Sequence, residues 1–263
     1  MQPGPLIGIA FALLAILVGN FLEGGHAGSL VGGPAALIVI GGTVGAVIVQ
    51  YPFSTLTASL RAAASTFKKA EVDPAKIVDE LVDYANRARR DGILALEKVS
   101  SSASDPFLRK ALMMAVDGVD SQTLRETLEV SIGQEEEHGE DAAKVFEAMG
   151  GYSPTVGIIG AVLGLIHVMS NLSDINAVGQ GIAAAFVATI YGVAFANILC
   201  LPIAGRIKML VREKALLREL TLTGVLAIQA GLNPKLVRER LSQFLHEHGS
   251  KKDATGAAAK AAG

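Results

Sequence analysis

The sequence has 263 residues, of which 51% are hydrophobic and only 18% charged, with a formal net charge of −2. Soluble domains carry about 25% charged residues, so the deficit points to membrane segments, and near neutrality argues against a nucleic-acid partner. The single cysteine, Cys200, permits neither an intrachain disulfide nor a thiolate cluster, and no metal or other cofactor is expected.

The first apolar run is Pro5–Leu22. It lacks a basic leader and a small-residue cleavage site, so it is expected to be a retained span. The second run is Pro34–Tyr51, the third Pro154–Leu172 and the fourth Gly181–Gly205. Each approaches the roughly 20 residues that cross a bilayer. The expected fold is all-α, an integral membrane protein with four transmembrane helices and a helical cytoplasmic domain.

All 23 Lys and Arg fall in two blocks, Arg61–Lys144 and Arg206–Lys260. The short connections Glu23–Gly33 and Asn171–Gln180 hold none. By the positive-inside bias the long loop and the tail face the cytoplasm, with both termini inside. The expected organisation is residues 1–51 as spans one and two and 52–152 as a helical cytoplasmic loop. Residues 153–205 then form spans three and four, and 206–263 form C-terminal helices and a tail.

Within the loop, Ile77, Leu81, Tyr84 and Ala88 recur at helical spacing, as do Leu124, Leu128 and Ile132. Pro74 and Pro106 each follow an Asp suited to helix capping. Arg87, Arg89, Arg90 and Asp91 concentrate charge before Gly92, and the run Glu135–Glu137 reads as a solvated face. The tail has an amphipathic stretch through Leu210, Leu216, Leu220 and Leu226, and Asn233-Pro234 starts a further helix. From about Gly249 the chain is Lys-, Gly- and Ala-rich and is expected to be disordered.

Span three places Pro154, Gly157, Gly160, Ala161 and Gly164 on one stripe. Gly160 with Gly164, and Gly41 with Gly45 in span two, form GxxxG pairs that let helix backbones approach closely in lipid. Packing within the chain and packing against another subunit are equally open on this pattern. Span four has a matching stripe, Ala185, Thr189, Gly192 and Ala196. The Thr189 hydroxyl either bonds the carbonyl four residues back or lines a polar path. Pro154 follows Ser153 in the arrangement of an N1 proline after an N-cap, and Pro202 bends span four. Both lie toward the cytoplasmic ends, as a hinge pair at one depth or as simple terminations.

Spans three and four contain no Asp, Glu, Lys or Arg, and His167 is their only readily titratable group. An ion path needs an ionisable or oxygen-rich site at membrane depth, so a conducting role requires a carboxylate from another protein. A transporter or membrane-embedded enzyme would be expected to carry buried charges or a nucleophile in its own spans, and these spans show neither.

Gly41-Gly42-Thr43, the stretch Arg89 to Glu97, the run Pro154–Gly164 and the run from Ala185 through Gly192 to Pro202 occur in order. Together they resemble the MotA family of flagellar stator proteins over residues 1–245, and Gly19–His26 is most similar to its MotC branch. The resemblance implies a non-enzymatic stator subunit that converts ion flow into torque in the bacterial inner membrane. It implies a ring of five copies in lipid around a MotB- or MotD-like single-span partner, whose membrane Asp takes the ion. It also implies rotor contact with FliG through Arg89, Arg90 and Glu97, a hinge at Pro154 and Pro202, and an ion path near Thr189 and Ala161. Sodium-driven members tend to have Thr where this chain has Ala161, so the resemblance implies proton drive. An ExbB/TolQ-like energiser of an outer-membrane system is the alternative, against which the four runs argue.

Overall fold

The computed structural model describes residues 3–68 and 73–244. Helices fill these residues, and no strand occurs among them. Four helical segments are long and apolar enough to cross a membrane: Gly4–Leu22, Ala27–Gln50, Ser121–Ser170 and Ile175–Gln229. The expected tail from Gly249 lies outside the described residues.

Helix α1 is Gly4–Leu22. A turn of 3-10 helix at Ala27–Leu30 leads to α2, residues 33–50, which contains a π-helical turn at Leu37–Gly41. Helix α3 is Phe53–Ser65, α4 is Pro74–Asp91, and α5 is Pro106–Val116. Helix α6, Ser121–Ser170, carries the third apolar run at its C-terminal end. Helix α7, Ile175–Gln229, begins with the fourth run, and α8 covers 234–244. The described residues form two compact units, residues 3–68 with 138–210 and residues 73–137 with 211–244.

Three sequence expectations change. First, Pro154 is not an N1 proline but lies inside α6. That helix begins 33 residues earlier, where Asp120 accepts hydrogen bonds from the Gln122 and Thr123 amides. Second, the connection between the last two spans is shorter than Asn171–Gln180, because Asp174 caps α7 through the Asn176 and Ala177 amides. A capping carboxylate satisfies otherwise orphaned donors, so polar Asn176 and Gln180 join the helix rather than the loop. Third, Glu135 is only half-exposed rather than a free surface charge, and it pairs with Lys214 and with Arg218.

The second unit closes on an aliphatic core. Of the residues at helical spacing, Ile77, Leu81, Tyr84, Leu124, Leu128 and Ile132 are buried with Leu108, Leu112, Leu220 and Val225, and Ala88 is partly buried against them. Asp73 caps α4 through the Ala75 amide. Asp105 caps α5 by accepting from the Phe107 and Leu108 amides at 2.8 and 3.0 Å. The same carboxylate pairs with Arg218, whose guanidinium stacks on the Phe107 ring 4.7 Å from its centre. One arginine on α7 thus fixes the start of α5 and, through Glu135, the face of α6. Burial alone would raise the Glu135 pKa, but the Lys214 and Arg218 charges outweigh it and hold it low.

Asp105 and Arg218 side chains are only 10% and 14% exposed. Removing one partner of such a pair strands the other charge, at a cost of about 3 kcal/mol. Arg218→Ala should therefore lower stability by about that amount in urea unfolding of the detergent-solubilised protein, and a change below 1 kcal/mol (roughly the worth of an exposed pair) would contradict it. Glu135, lowered in the fold, stabilises above the ordinary carboxylate value of about 4.3 and loses this contribution as pH falls through its folded value. Glu135→Gln should flatten the stability–pH curve below about pH 5, measured by the same unfolding series.

Candidate functional site

In the first unit α6 and α7 pack through glycines. A Cβ at Gly157 would lie 3.0 Å from the Ala188 carbonyl oxygen and 3.2 Å from the Gly192 Cα. One at Gly192 would lie 2.7 Å from the Ser153 carbonyl oxygen, and one at Gly164 would lie 2.9 Å from that of Gly181. The two backbones therefore touch over several turns, a contact that only residues without side chains permit. The buried Ser153 hydroxyl adds a donor across the seam to the Gly192 carbonyl oxygen at 2.9 Å.

The two GxxxG patterns behave differently. Gly160 and Gly164 face Ala188 and Ala185 of α7, so this pair serves packing within the chain. Around Gly45 nothing lies within 4 Å, and the α2 glycine in close contact is Gly42, against Val156. Helix α2 instead packs Ala35 and Val39 against Val187 and Ala188. The buried Thr43 hydroxyl bonds the Val39 carbonyl oxygen at 2.6 Å.

Two members of the Thr189 stripe, Ala185 and Gly192, contact α6; Ala196 is also buried and Thr189 is half-buried. The Thr189 hydroxyl donates to the Ala185 carbonyl oxygen at 3.2 Å, the local bond expected of a helical threonine. Ala161 is half-buried on α6 beside Gly160. Pro154 meets α7 at Gly192, ten positions before Pro202, or about 15 Å along the helix. The two prolines are therefore not at one depth, because antiparallel helices bring together positions whose numbers run in opposite directions. Pro202 follows a π-helical turn at Phe195–Cys200. A proline lacks the N–H and its ring crowds the carbonyl four residues earlier, and the widened turn supplies the room.

Sequence reasoning assigned no role to Tyr191. Its hydroxyl donates to the Leu30 carbonyl oxygen at 2.7 Å and accepts from the Gly32 amide at 3.1 Å. One phenol thus ties the entry of α2 to α7, filling a donor and an acceptor that the 3-10 turn leaves open. Its signal was an isolated phenol inside an apolar run, where a buried hydroxyl needs partners.

In the second unit Arg89, Arg90 and Glu97 are all exposed. Arg90 pairs with Asp91 at 3.0 Å. The pair is exposed, and hydrogen bonding to Arg90 holds the Asp91 carboxyl below its usual range. Arg89 has no ion-pair partner among the described residues. The structure thus separates the residues expected to act on the ion, in the first unit, from those expected to meet a rotor, in the second.

Two apolar spans without Asp, Glu, Lys or Arg, locked by backbone contact between α6 and α7 and joined by two further apolar helices, define a multi-pass helical membrane protein. The MotA/TolQ/ExbB proton channel family model matches residues 99–220, and the motility protein A N-terminal model matches residues 6–92. Motility protein A of Bacillus subtilis is 33% identical over 250 residues, covering 93% of this chain and 91% of that protein. Chemotaxis protein PomA of Vibrio alginolyticus is 31% identical over 244 residues, covering 93% and 94%. The structure of C. jejuni MotAB matches with a TM-score of 0.89 at 30% identity, over 93% of this chain and 96% of that one. The flagellar MotAB stator complex of Bacillus subtilis matches at 0.86 and 33%, over 95% and 98%. This chain belongs to the motility protein A group of the MotA/TolQ/ExbB proton channel family.

The seam makes a contrast that mutagenesis can read. Gly192→Ala should push α6 and α7 apart and lower stability by about 1–3 kcal/mol, the usual cost of overpacking. Gly45→Ala, in open space, should change little. Thermal unfolding of the two purified variants checks this, and equal melting temperatures would contradict the packing.

Proposed function

We propose that this chain is the ion-channel-forming stator subunit of a bacterial flagellar motor, coupling ion flow to torque together with a MotB- or MotD-like single-span partner. The observation that carries the reading is a glycine-locked pair of apolar spans, residues 154–172 and 181–205, without any acid, in a chain of the motility protein A group. The match of residues 6–92 to the motility protein A N-terminal model favours a stator over an ExbB/TolQ-like energiser. Both solved neighbours are MotAB assemblies, which supports a MotB-type partner and an oligomer, here a ring of five embedded in the lipid of the inner membrane.

The division of labour follows the chemistry. An unpaired charge at the bilayer centre costs at least about 2.5–3.5 kcal/mol, so the partner's Asp needs a polar surface to face. Thr189, though bonded to its own helix, keeps acceptor lone pairs for water, and the Ala161 side chain on α6 offers no oxygen. A proton needs only a titratable acid and water, whereas sodium needs several oxygen ligands, so the ion is the proton. Pro154 and Pro202 serve as points of bending at different levels of the two helices.

The spans occupy residues 1–51 and 153–205, and the cytoplasmic parts occupy 52–152 and 206–263. Both termini lie inside. The exposed charges Arg89, Arg90 and Glu97 meet the rotor protein FliG, and no catalytic chemistry is involved.

Cysteines at Ser29 and Ala177 should react with an impermeant thiol reagent on intact cells, and one at Ser102 should not; labelling at 102 overturns the orientation. Reversing the charges at both Arg89 and Glu97 should abolish swimming with the membrane level of protein unchanged. Exposed pairs are worth only ~0–1 kcal/mol to stability, so a normal swimming speed or loss of the protein would contradict rotor contact. Swimming should collapse with a protonophore and persist without sodium, and the reverse pattern would refute proton drive. Thr189→Val should cut ion flux far more than assembly, read by flux and co-purification of the same variant.

A further inference from the structure

Helix α3, Phe53–Ser65, follows α2 across two extended residues, Tyr51 and Pro52. That spacing keeps Phe53 within about 10 Å of the last turn of the span. Tyr152 donates to the Gln50 side chain at 2.8 Å. Tyr51 and Tyr152 thus stand near one level, as in the aromatic belts that mark the edge of a bilayer. Helix α3 starts at that edge.

At about 100° per residue α3 divides into strips. Ser59 and Ala63, with Thr66 just beyond the helix, are buried in the protein. Beside them Phe53, Leu56, Leu60 and Ala64 fall within about 80° of arc, and Phe53 and Leu60 are 72% and 66% exposed. The exposed Arg61 comes next around the helix, and then exposed Ser54, Ser65 and Ala58. The one hydroxyl bordering the apolar strip, that of Thr57, donates to the Ser54 carbonyl oxygen at 2.9 Å.

The charge on this segment has a single sign. Between Gln50 and Glu71 the sequence holds Arg61, Lys68 and Lys69 and no Asp or Glu. Arg61 and Lys68 are exposed and have no ion-pair partner among the described residues. A second copy docked on this face by two-fold symmetry would set cation against cation. An apolar strip edged by cations, one short turn from a membrane span, fits the boundary between acyl chains and anionic headgroups.

We propose that α3 is an in-plane anchor that binds the anionic lipids of the adjoining leaflet, with Phe53, Leu56 and Leu60 at the acyl boundary and Arg61 and Lys68 on headgroup phosphates. Long basic side chains lay their stems on apolar surface and keep the charge at the headgroup level. Each cation near such a surface favours binding by about fivefold. The leaflet is the cytoplasmic one, which rests on the orientation proposed above; the lipid contact itself rests only on α2 being a span.

The chain contains no tryptophan, so a single substitution supplies a unique fluorophore. Full-length Leu60→Trp, or Phe53→Trp as a milder aromatic exchange, is placed in nanodiscs of mixed phosphatidylcholine and phosphatidylglycerol, with bromine on the acyl chains of one lipid at a time. Either indole should emit as a buried group, be quenched by both brominated lipids, and show a several-fold higher affinity for phosphatidylglycerol. Adding Arg61→Gln to Leu60→Trp should lower that preference about fivefold. Ala58→Trp, on the Ser54 side of the helix, should emit as a hydrated indole and be quenched least.

Hydrated, unquenched indoles at both positions overturn the anchor. Buried but unquenched indoles show that protein covers the face, and overturn it equally. Equal affinity for the two lipids, unmoved by Arg61→Gln, overturns the anionic recognition. The two leaflets of a nanodisc have one composition, so these outcomes hold whichever way the chain faces in cells. Labelling of a cysteine at Ser102 from outside would overturn the orientation and leave the lipid contact standing.

Discussion

The constraint on which the first unit depends is backbone contact between α6 and α7. Lipid tails solvate a leucine as well as another helix does, so apolar area gives two spans no reason to associate. What remains is close packing and the bonds that close packing allows. Gly157 and Gly164 admit the backbone of α7, Gly192 admits that of α6, and the Ser153 hydroxyl reaches the Gly192 carbonyl only because the helices are this near. Helix α2 then joins through Gly42 and a small apolar cluster, held at its entry by Tyr191.

The seam also limits what these spans do alone. Small residues that permit contact leave no room for the long side chains of Glu, Lys or Arg, and spans three and four contain none. The Thr189 hydroxyl is directed to its own helix. On the proposed function, a conducting assembly of this chain takes its carboxylate from the single-span partner, which makes the partner part of the functional unit. The second unit follows the rules of water-soluble packing instead, with an aliphatic core and one buried ion pair, Arg218 with Asp105, that organises the ends of its helices.

The apolar spans, the buried positions at helical spacing and the capping aspartates were legible because each is a local rule: run length, period, and an Asp before a Pro. The seam was half legible. The stripe of small residues pointed to close packing, but pattern alone could not say that Gly160 and Gly164 pack within the chain while Gly45 stands open and Gly42 makes the contact. The level of the prolines was hidden because it depends on the register of α6 against α7. Pro154 looked like a helix start because a Ser preceded it, yet that Ser donates across the seam rather than capping its own helix. Glu135 looked solvated because its partners, Lys214 and Arg218, are about eighty residues away.

The central claim is that this chain supplies a scaffold for conduction and its partner supplies the acid. Proton flux into liposomes, followed with an internal pH dye under an imposed potential, tests it most directly. The account predicts flux when this chain is reconstituted with its single-span partner, and background flux with this chain alone or with a partner whose membrane Asp is replaced by Asn. Full flux from this chain alone, or from the Asn-bearing pair, would contradict it.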